Sequence, residues 1–154
     1  MPDGTQGLVH RKGATRAFPA KHPDLVGTKW FDTGHPVLIP GSMLTGAAIL
    51  MPAANANTSG FTVNHGSGRL LARGDAKRRL AAEQGVIDTE MQEITRTFAG
   101  VPIEGILTNT KHVPLDESGR VYKDLDVVLA VLTDSGIATV SRRLYPVISI
   151  KGSD

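Results

Sequence analysis

Asn64-His65-Gly66-Ser67-Gly68-Arg69-Leu70-Leu71-Ala72-Arg73 is the stretch on which the reading of this chain turns. It follows a short apolar run, Phe61-Thr62-Val63, that reads as a strand, and it opens a helical pattern. The glycines let the backbone come close to a ligand and adopt dihedrals that other residues avoid. A helix starting at Gly68 would point its free N–H groups back at the same spot, which suits an anion such as a phosphate. Arg69, Arg73 and Lys77 recur at i, i+4 and i+8, so they share one face of that helix. A histidine beside glycines, a helix N-terminus and a row of cations can do chemistry on a phosphate. The same residues also make an ordinary turn before a solvated helix face.

Outward from this stretch, the helix runs to about Gln84, with Ala72, Ala76 and Leu80 as its apolar stripe and Gly85 as its stop. Gly74 weakens it by up to about 1 kcal/mol relative to alanine. Residues 86–100 fit helix and strand equally, and Pro102 to Leu107 reads as a strand. Asn109 to Arg120 is polar and reads as an exposed loop. A second helix spans about Tyr122 to Ser135, with Leu125, Val128, Leu129 and Leu132 buried and Gly136 ending it. Ile137 to Leu144 and Val147 to Ile150 read as closing strands, with Lys151 at the end of the last.

Upstream, residues 1–6 are polar and read as loose. Leu8 to Arg11 and Ala14 to Phe18 read as strands paired across a Lys12-Gly13 turn. Residues 19–33 are loop-like, with Trp30-Phe31 packed onto the body. Pro36 to Ile39 and Met43 to Met51 are apolar strands around a Pro40-Gly41-Ser42 corner. Such a corner can turn N–H groups and a hydroxyl outward to a phosphate or base edge, or be a plain turn. The elements mix without a βαβ rhythm. The expected class is α+β, with mixed or antiparallel sheets and two main helices, in a single domain over residues 1–154.

Composition narrows the function. Of 154 residues, 40% are apolar and 21% charged, as in ordinary globular proteins. Aromatics make up 5%, so a stacking platform for single-stranded nucleic acid is not obvious. The net charge of +2 permits a polyanionic partner without demanding one, and Lys77-Arg78-Arg79 and Arg142-Arg143 are the local clusters. With no cysteine, disulfides, thiolate zinc sites and cysteine nucleophiles are excluded. No signal pattern and no membrane-length apolar run is present, so the expectation is a cytoplasmic protein without membrane partners. Walker-type loops and dinucleotide glycine fingerprints are absent.

Five segments, in order, resemble the C-terminal portion of the RtcB-type RNA ligases. Val9-His10-Arg11-Lys12-Gly13-Ala14-Thr15-Arg16-Ala17-Phe18 resembles their His-Arg-Lys-Gly-Ala-Thr segment. Ile39-Pro40-Gly41-Ser42-Met43 is similar to their Pro-Gly-Ser-Met corner, and His65-Gly66-Ser67-Gly68-Arg69 to their His-Gly-Ala-Gly-Arg motif. Tyr122-Lys123-Asp124-Leu125-Asp126 resembles their Tyr-Lys-Asp segment, and Ile150-Lys151-Gly152 their C-terminus. The resemblance implies an enzyme that uses GTP to guanylylate a histidine. GMP then moves to an RNA 3′-phosphate (or 2′,3′-cyclic phosphate) end, which a 5′-hydroxyl end attacks. It makes His65 the nucleophile. It gives nucleotide contacts to Pro40, Gly41, Ser42, Met43, Gly66, Ser67 and Gly68, guanosine contacts to Tyr122 and Lys151, and phosphate or RNA contacts to Arg69 and Arg73.

Two departures shape the expectation. The family usually continues its corner with Gly-Thr-Ala-Ser-Tyr, whereas this chain has Leu44-Thr45-Gly46-Ala47-Ala48, putting Ala47 where a nucleotide-contacting serine stands. The family's manganese ligands, an aspartate, a cysteine and histidines, come from a preceding larger portion that nothing here matches. No metal ligand is therefore assigned, although Mn²⁺ belongs to the family's reaction. One reading is the GTP-binding portion of a ligase, joined to a separate N-terminal portion and acting on RNA such as tRNA halves. The alternative is a truncated, non-catalytic nucleotide- or RNA-binding module. A third reading is a fragment that folds poorly alone because its sheet has lost partner strands.

Overall fold

A computed structural model describes residues 7–98, 100–105 and 107–151; residues 1–6 and Gly152 lie outside that range. In chain order the strands and helices are β1 (Ala14–Arg16), β2 (Val37–Pro40), β3 (Ala47–Pro52), β4 (Thr62–Asn64), α1 (Arg73–Leu80), α2 (Gln84–Glu93), β5 (Thr95–Phe98), β6 (Val101–Glu104), β7 (Leu107–Thr108), α3 (Leu125–Asp134), β8 (Ala138–Leu144) and β9 (Ile148–Ser149). The class is α+β, as expected. Strands β2, β3 and β8 form an antiparallel sheet, β1 pairs antiparallel with β4, β5 with β6, and β7 lies parallel to β9.

Alternation along β2 buries Val37 and Ile39 and exposes Leu38. In β3 it buries Ala48 and Leu50. Helix α3 closes over this face with Leu125, Leu129 and Leu132. Asp124 caps α3 by accepting the Asp126 N–H (2.8 Å), and Gly136 at φ +68° follows its end. A second apolar cluster gathers Met43, Ala76, Leu80, Ile87, Met91, Val113 and Val121.

That second cluster explains where the helical reading fails. Gly85 does not stop the first helical region, which passes through a 3-10 turn at Ala81–Glu83 into α2. The stripe of Ala76 and Leu80 continues at Ile87 and Met91, and burying those two outweighs one glycine. Nor does the helix begin at Gly68. There φ is +80°, Arg69 bridges to Tyr122, and the chain bends at Leu70 and Leu71 before α1 starts at Arg73. Of the stretch read as ambiguous, residues 86–98 hold both alternatives in turn, the end of α2 and then β5.

Other boundaries move for local reasons. Leu8 to Arg11 is not a strand. Gly13 turns at φ +68°, and β1 pairs with β4 in the register Ala14↔Asn64. The apolar segment from Met43 becomes a strand only at Ala47, because Ser42 to Thr45 close a turn. Trp30 and Phe31 are half-buried, as expected.

Gly46 fixes the approach of this turn to β8. It sits at φ +74°, and an added Cβ would lie 2.0 Å from the Leu144 carbonyl oxygen. Backbone cannot yield as a flexible side chain can. Gly46→Ala is expected to cost about 2–4 kcal/mol, from the left-handed dihedral and the displaced β3–β8 pairing. Urea unfolding checks this, and a loss under about 0.5 kcal/mol would mean that the turn repositions freely.

Candidate nucleotide-binding site

The Pro40-Gly41-Ser42-Met43 corner forms one wall of a cleft of about 340 Å³. Gly46, Ala47, Glu117, Tyr122, Tyr145 and Lys151 line it too. Of the two readings the sequence left for the corner, its hydrogen bonds match the plain turn. The Ser42 hydroxyl accepts the N–H groups of Leu44 (3.2 Å) and Thr45 (3.1 Å), and Thr45 Oγ1 accepts the Ser42 N–H (3.0 Å). The Gly46 N–H donates to the Ser42 carbonyl, and the Gly41 N–H to the Gly46 carbonyl, both at 2.8 Å. A four-residue turn with a serine at its start satisfies itself this way. The corner therefore offers shape and apolar surface, with Ala47 adding no hydroxyl.

The His65 loop is fastened to this corner. The Ser67 N–H donates to the Pro40 carbonyl at 2.9 Å, and an added Cβ on Gly66 would lie 3.0 Å from that same oxygen. Gly66 is a close-approach glycine, and Gly68 is needed for its left-handed φ. The side chain of Asn64 donates to the Gly66 carbonyl at 2.5 Å. His65 itself is exposed and is not among the cleft-lining residues, with its backbone N–H 3.4 Å from the Gly13 carbonyl. The Ser67 hydroxyl is buried with no hydrogen-bond partner among the described residues. The helix expected to open at Gly68 begins instead at Arg73, eight residues after His65.

The cations converge on two carboxylates that the sequence left in a supposed exposed loop. Asp116 is 5% exposed, and Val113 and Ser118 are buried beside it. Arg73 meets Asp116 Oδ2 at 3.0 Å and Glu117 Oε1 at 2.5 Å, with Lys77 4.0 Å from Asp116. Arg69 is outside the helix yet joins the group. It donates to the Asp116 carbonyl (2.6 Å) and the Tyr122 hydroxyl (3.1 Å), lies 3.7 Å from Glu117, and stacks over the Tyr122 ring at 4.9 Å. The Tyr122 hydroxyl donates to Glu117 Oε2 at 2.7 Å, and Lys151 Nζ lies 3.5 Å from that oxygen.

Glu117 is thus the meeting point of the residues assigned to base and to phosphate. Burial pushes its carboxyl up, but the Tyr122 hydroxyl, Lys151 and Arg73 together outweigh it and hold the group below its ordinary range. Burial, reinforced by the hydrogen bond to Glu117, pushes the Tyr122 hydroxyl up, so it stays a donor at neutral pH. Spacing between Glu117 and Tyr122 could not have revealed the pair, because contact depends on the 3-10 turns at Leu115–Glu117 and Gly119–Val121.

The cleft fits a nucleoside in size and in its facing ammonium and carboxylate. For a metal the residues do not fit: among the described residues no three His, Asp or Glu side chains converge. No helix among the described residues is long and apolar enough to cross a membrane.

Residues 2–152 match the family described as tRNA-splicing ligase RtcB. Over 145 residues the chain is 36% identical to the tRNA-splicing ligase RtcB of Aeropyrum pernix, which covers 94% of this chain and 28% of that protein. It is 38% identical over 146 residues to the one of Thermococcus kodakarensis, with the same two shares. Against the protein of Pyrococcus furiosus, identity is 37% over 147 residues, which is 14% of that relative. The chain, spanning little more than a quarter of its relatives at most, belongs to the RtcB family of tRNA-splicing ligases.

Proposed function

We propose that this chain is the nucleotide-binding, guanylyl-accepting part of a GTP-dependent RNA ligase. The reaction joins an RNA 3′-phosphate (or 2′,3′-cyclic phosphate) end to a 5′-hydroxyl end in the cytoplasm, and residues 1–154 act as a single domain. The observation that carries this reading is the bond from the Ser67 N–H to the Pro40 carbonyl. It keeps the histidine loop on the wall of the cleft that Tyr122 and Lys151 also line.

In this reading a neutral imidazole nitrogen of His65 attacks the α-phosphorus of GTP and pyrophosphate leaves. The phosphoramidate then passes GMP to the RNA 3′-phosphate oxygen. The 5′-hydroxyl oxygen of the second RNA attacks that phosphorus, giving the phosphodiester and free GMP. Pro40 to Met43 and Gly66 to Gly68 hold the nucleotide, and Tyr122 and Lys151 hold guanosine. Arg69 and Arg73 face phosphate of nucleotide or RNA. Manganese is supplied from outside the described residues, by a separate N-terminal portion.

Lys151 suits a base carbonyl because an ammonium carries three donors and no acceptor. Lys151→Ala is expected to weaken GTP about tenfold and ATP little, in equilibrium binding; equal losses would remove Lys151 from the base. The function itself is tested by labelling with α-³²P-GTP and Mn²⁺. An acid-labile, base-stable label on this chain, alone or with the N-terminal portion of a relative added, supports the ligase reading. No label in either case favours the non-catalytic nucleotide- or RNA-binding module, to which Ala47 in the cleft wall and the self-satisfied corner already lend weight.

A further inference from the structure

A second pocket, of about 640 Å³, shares no lining residue with the cleft. Its walls include Arg11, Arg16, Phe18, His22, Asp24 and Phe61. We propose that this pocket takes one unpaired nucleobase, with its flanking phosphate, from a single-stranded RNA. The inference rests on the reading above only in that the chain handles RNA.

Three rings meet there. His22 lies flat on Phe18, with centroids 3.9 Å apart and planes 8° apart. Phe61 stands edge-on to His22 at 4.5 Å and to Phe18 at 5.9 Å. A base has a π-face of any sequence to offer such a cluster. The guanidinium of Arg16 lies 5.1 Å from the Phe18 centroid and has no carboxylate partner among the described residues. Arg11 stands at the rim, held by Thr62 Oγ1 (2.9 Å) and the Gly60 carbonyl (3.3 Å). Two guanidiniums beside stacked rings match a base followed by its phosphate. The carboxylate of Asp24 cannot face that phosphate, but it can accept from an exocyclic amino group of the base.

Phe61 gives the independent sign. Its φ is +54°, a region that costs a bulky residue about 1–2 kcal/mol and that glycine enters freely. Two backbone bonds hold it there, from its own N–H to the Ala56 carbonyl and from the Ala17 N–H to its carbonyl, both 2.8 Å. A ring kept over a pocket at the expense of backbone strain points to use of that ring. Phe61→Gly removes the ring while relieving the dihedral, so the fold is expected to survive.

Anisotropy of a fluorescein-labelled single-stranded RNA 12-mer, titrated with the 154-residue chain, tests this. Phe61→Gly should weaken binding about tenfold. Arg16→Gln should weaken it and reduce the slope of log K against log salt by about 0.7, one phosphate's share on a single strand. If both variants bind as the wild type does while Arg73→Gln weakens binding, the pocket is not an RNA site and the RNA-handling reading stands. If the wild-type chain binds no RNA, both fail together. Weakening by Phe61→Gly with the thermal midpoint unchanged or raised supports the pocket, because a merely structural ring would lower it.

Discussion

His65→Ala is expected to leave no covalent GMP on the chain under conditions where the wild type is labelled, a loss of at least about a thousandfold for removal of a nucleophile. The fold should not notice. The imidazole is exposed, and the loop is held by backbone and neighbours: Ser67 to Pro40, Asn64 to Gly66, and the His65 N–H to Gly13. An exposed side chain without a partner contributes within about 0.5 kcal/mol of stability. Loss of label with an unchanged unfolding midpoint therefore reports chemistry. A label that persists in His65→Ala would move the nucleophile elsewhere. Its stability would identify the bond, since a lysine phosphoramidate resists the base that cleaves an acyl phosphate. Ser67→Ala is the matching control. Its buried hydroxyl has no partner among the described residues, so its removal should be neutral or stabilising unless the nucleotide uses it.

The fold was legible where periodicity decided it. Leu125, Leu129 and Leu132 on α3 are buried where the apolar stripe put them, with Val128 half-buried beside them, and the apolar run at Val37–Ile39 is a strand as read, though Leu38 within it is exposed. It was illegible where contacts from distant residues overrode local preference. Gly85 reads as a stop, but Ile87 and Met91 have a core to enter. Gly68 reads as the first residue of a helix, but the Leu70 N–H finds the Val121 carbonyl at 2.7 Å and the Lys123 N–H the Gly68 carbonyl at 3.0 Å, which keeps residues 68–70 out of the helix. Arg69 and Arg73 still meet as the helical spacing implied, though for another reason: both reach for the carboxylates before Tyr122.

The candidate site was legible as motifs and not as electrostatics. His65, the Pro40 corner, Tyr122 and Lys151 could be named in order along the chain. That Asp116 is buried could not, because a polar stretch of twelve residues reads as solvated until Val113 and Val121 are seen to enter the core on either side of it. Composition could not show that three rings meet in one place. Phe18 and His22 stand one helical turn's spacing apart in the chain, but Phe61 is distant in an aromatic-poor sequence, and the β1–β4 pairing brings it to them.

Glu117→Gln is the second large expectation, and it separates charge from shape. Gln is nearly isosteric and can still accept from the Tyr122 hydroxyl, but it offers Arg73 and Lys151 no anion. Arg73 is 65% exposed, so water screens that pair, and the expected loss of stability at neutral pH is about 1–2 kcal/mol. Nucleotide binding should suffer more than stability. Asn109 still holds the Lys151 backbone at 2.8 Å, but the lysine's ammonium loses the carboxylate that orients it at the cleft wall, and preference for GTP over ATP should fall toward that of Lys151→Ala. The pH dependence has a definite sign. Glu117 is depressed from its ordinary value of 4.5, so the stabilisation is fully present above about pH 4.5 and is lost as pH falls through the lowered folded value. The wild type minus Glu117→Gln difference in unfolding free energy should therefore be flat from about pH 5 to 8 and shrink progressively as pH falls below about 4.5. Asp88 is also depressed, because His112, the Val113 N–H and Gln84 together outweigh its burial, and it adds acid sensitivity to both proteins. That contribution cancels in the difference, as distant sites do. A difference that stays constant down to pH 3 would mean that Glu117 acts through packing, and the ionic link between Arg73, Tyr122 and Lys151 would then have no energetic weight.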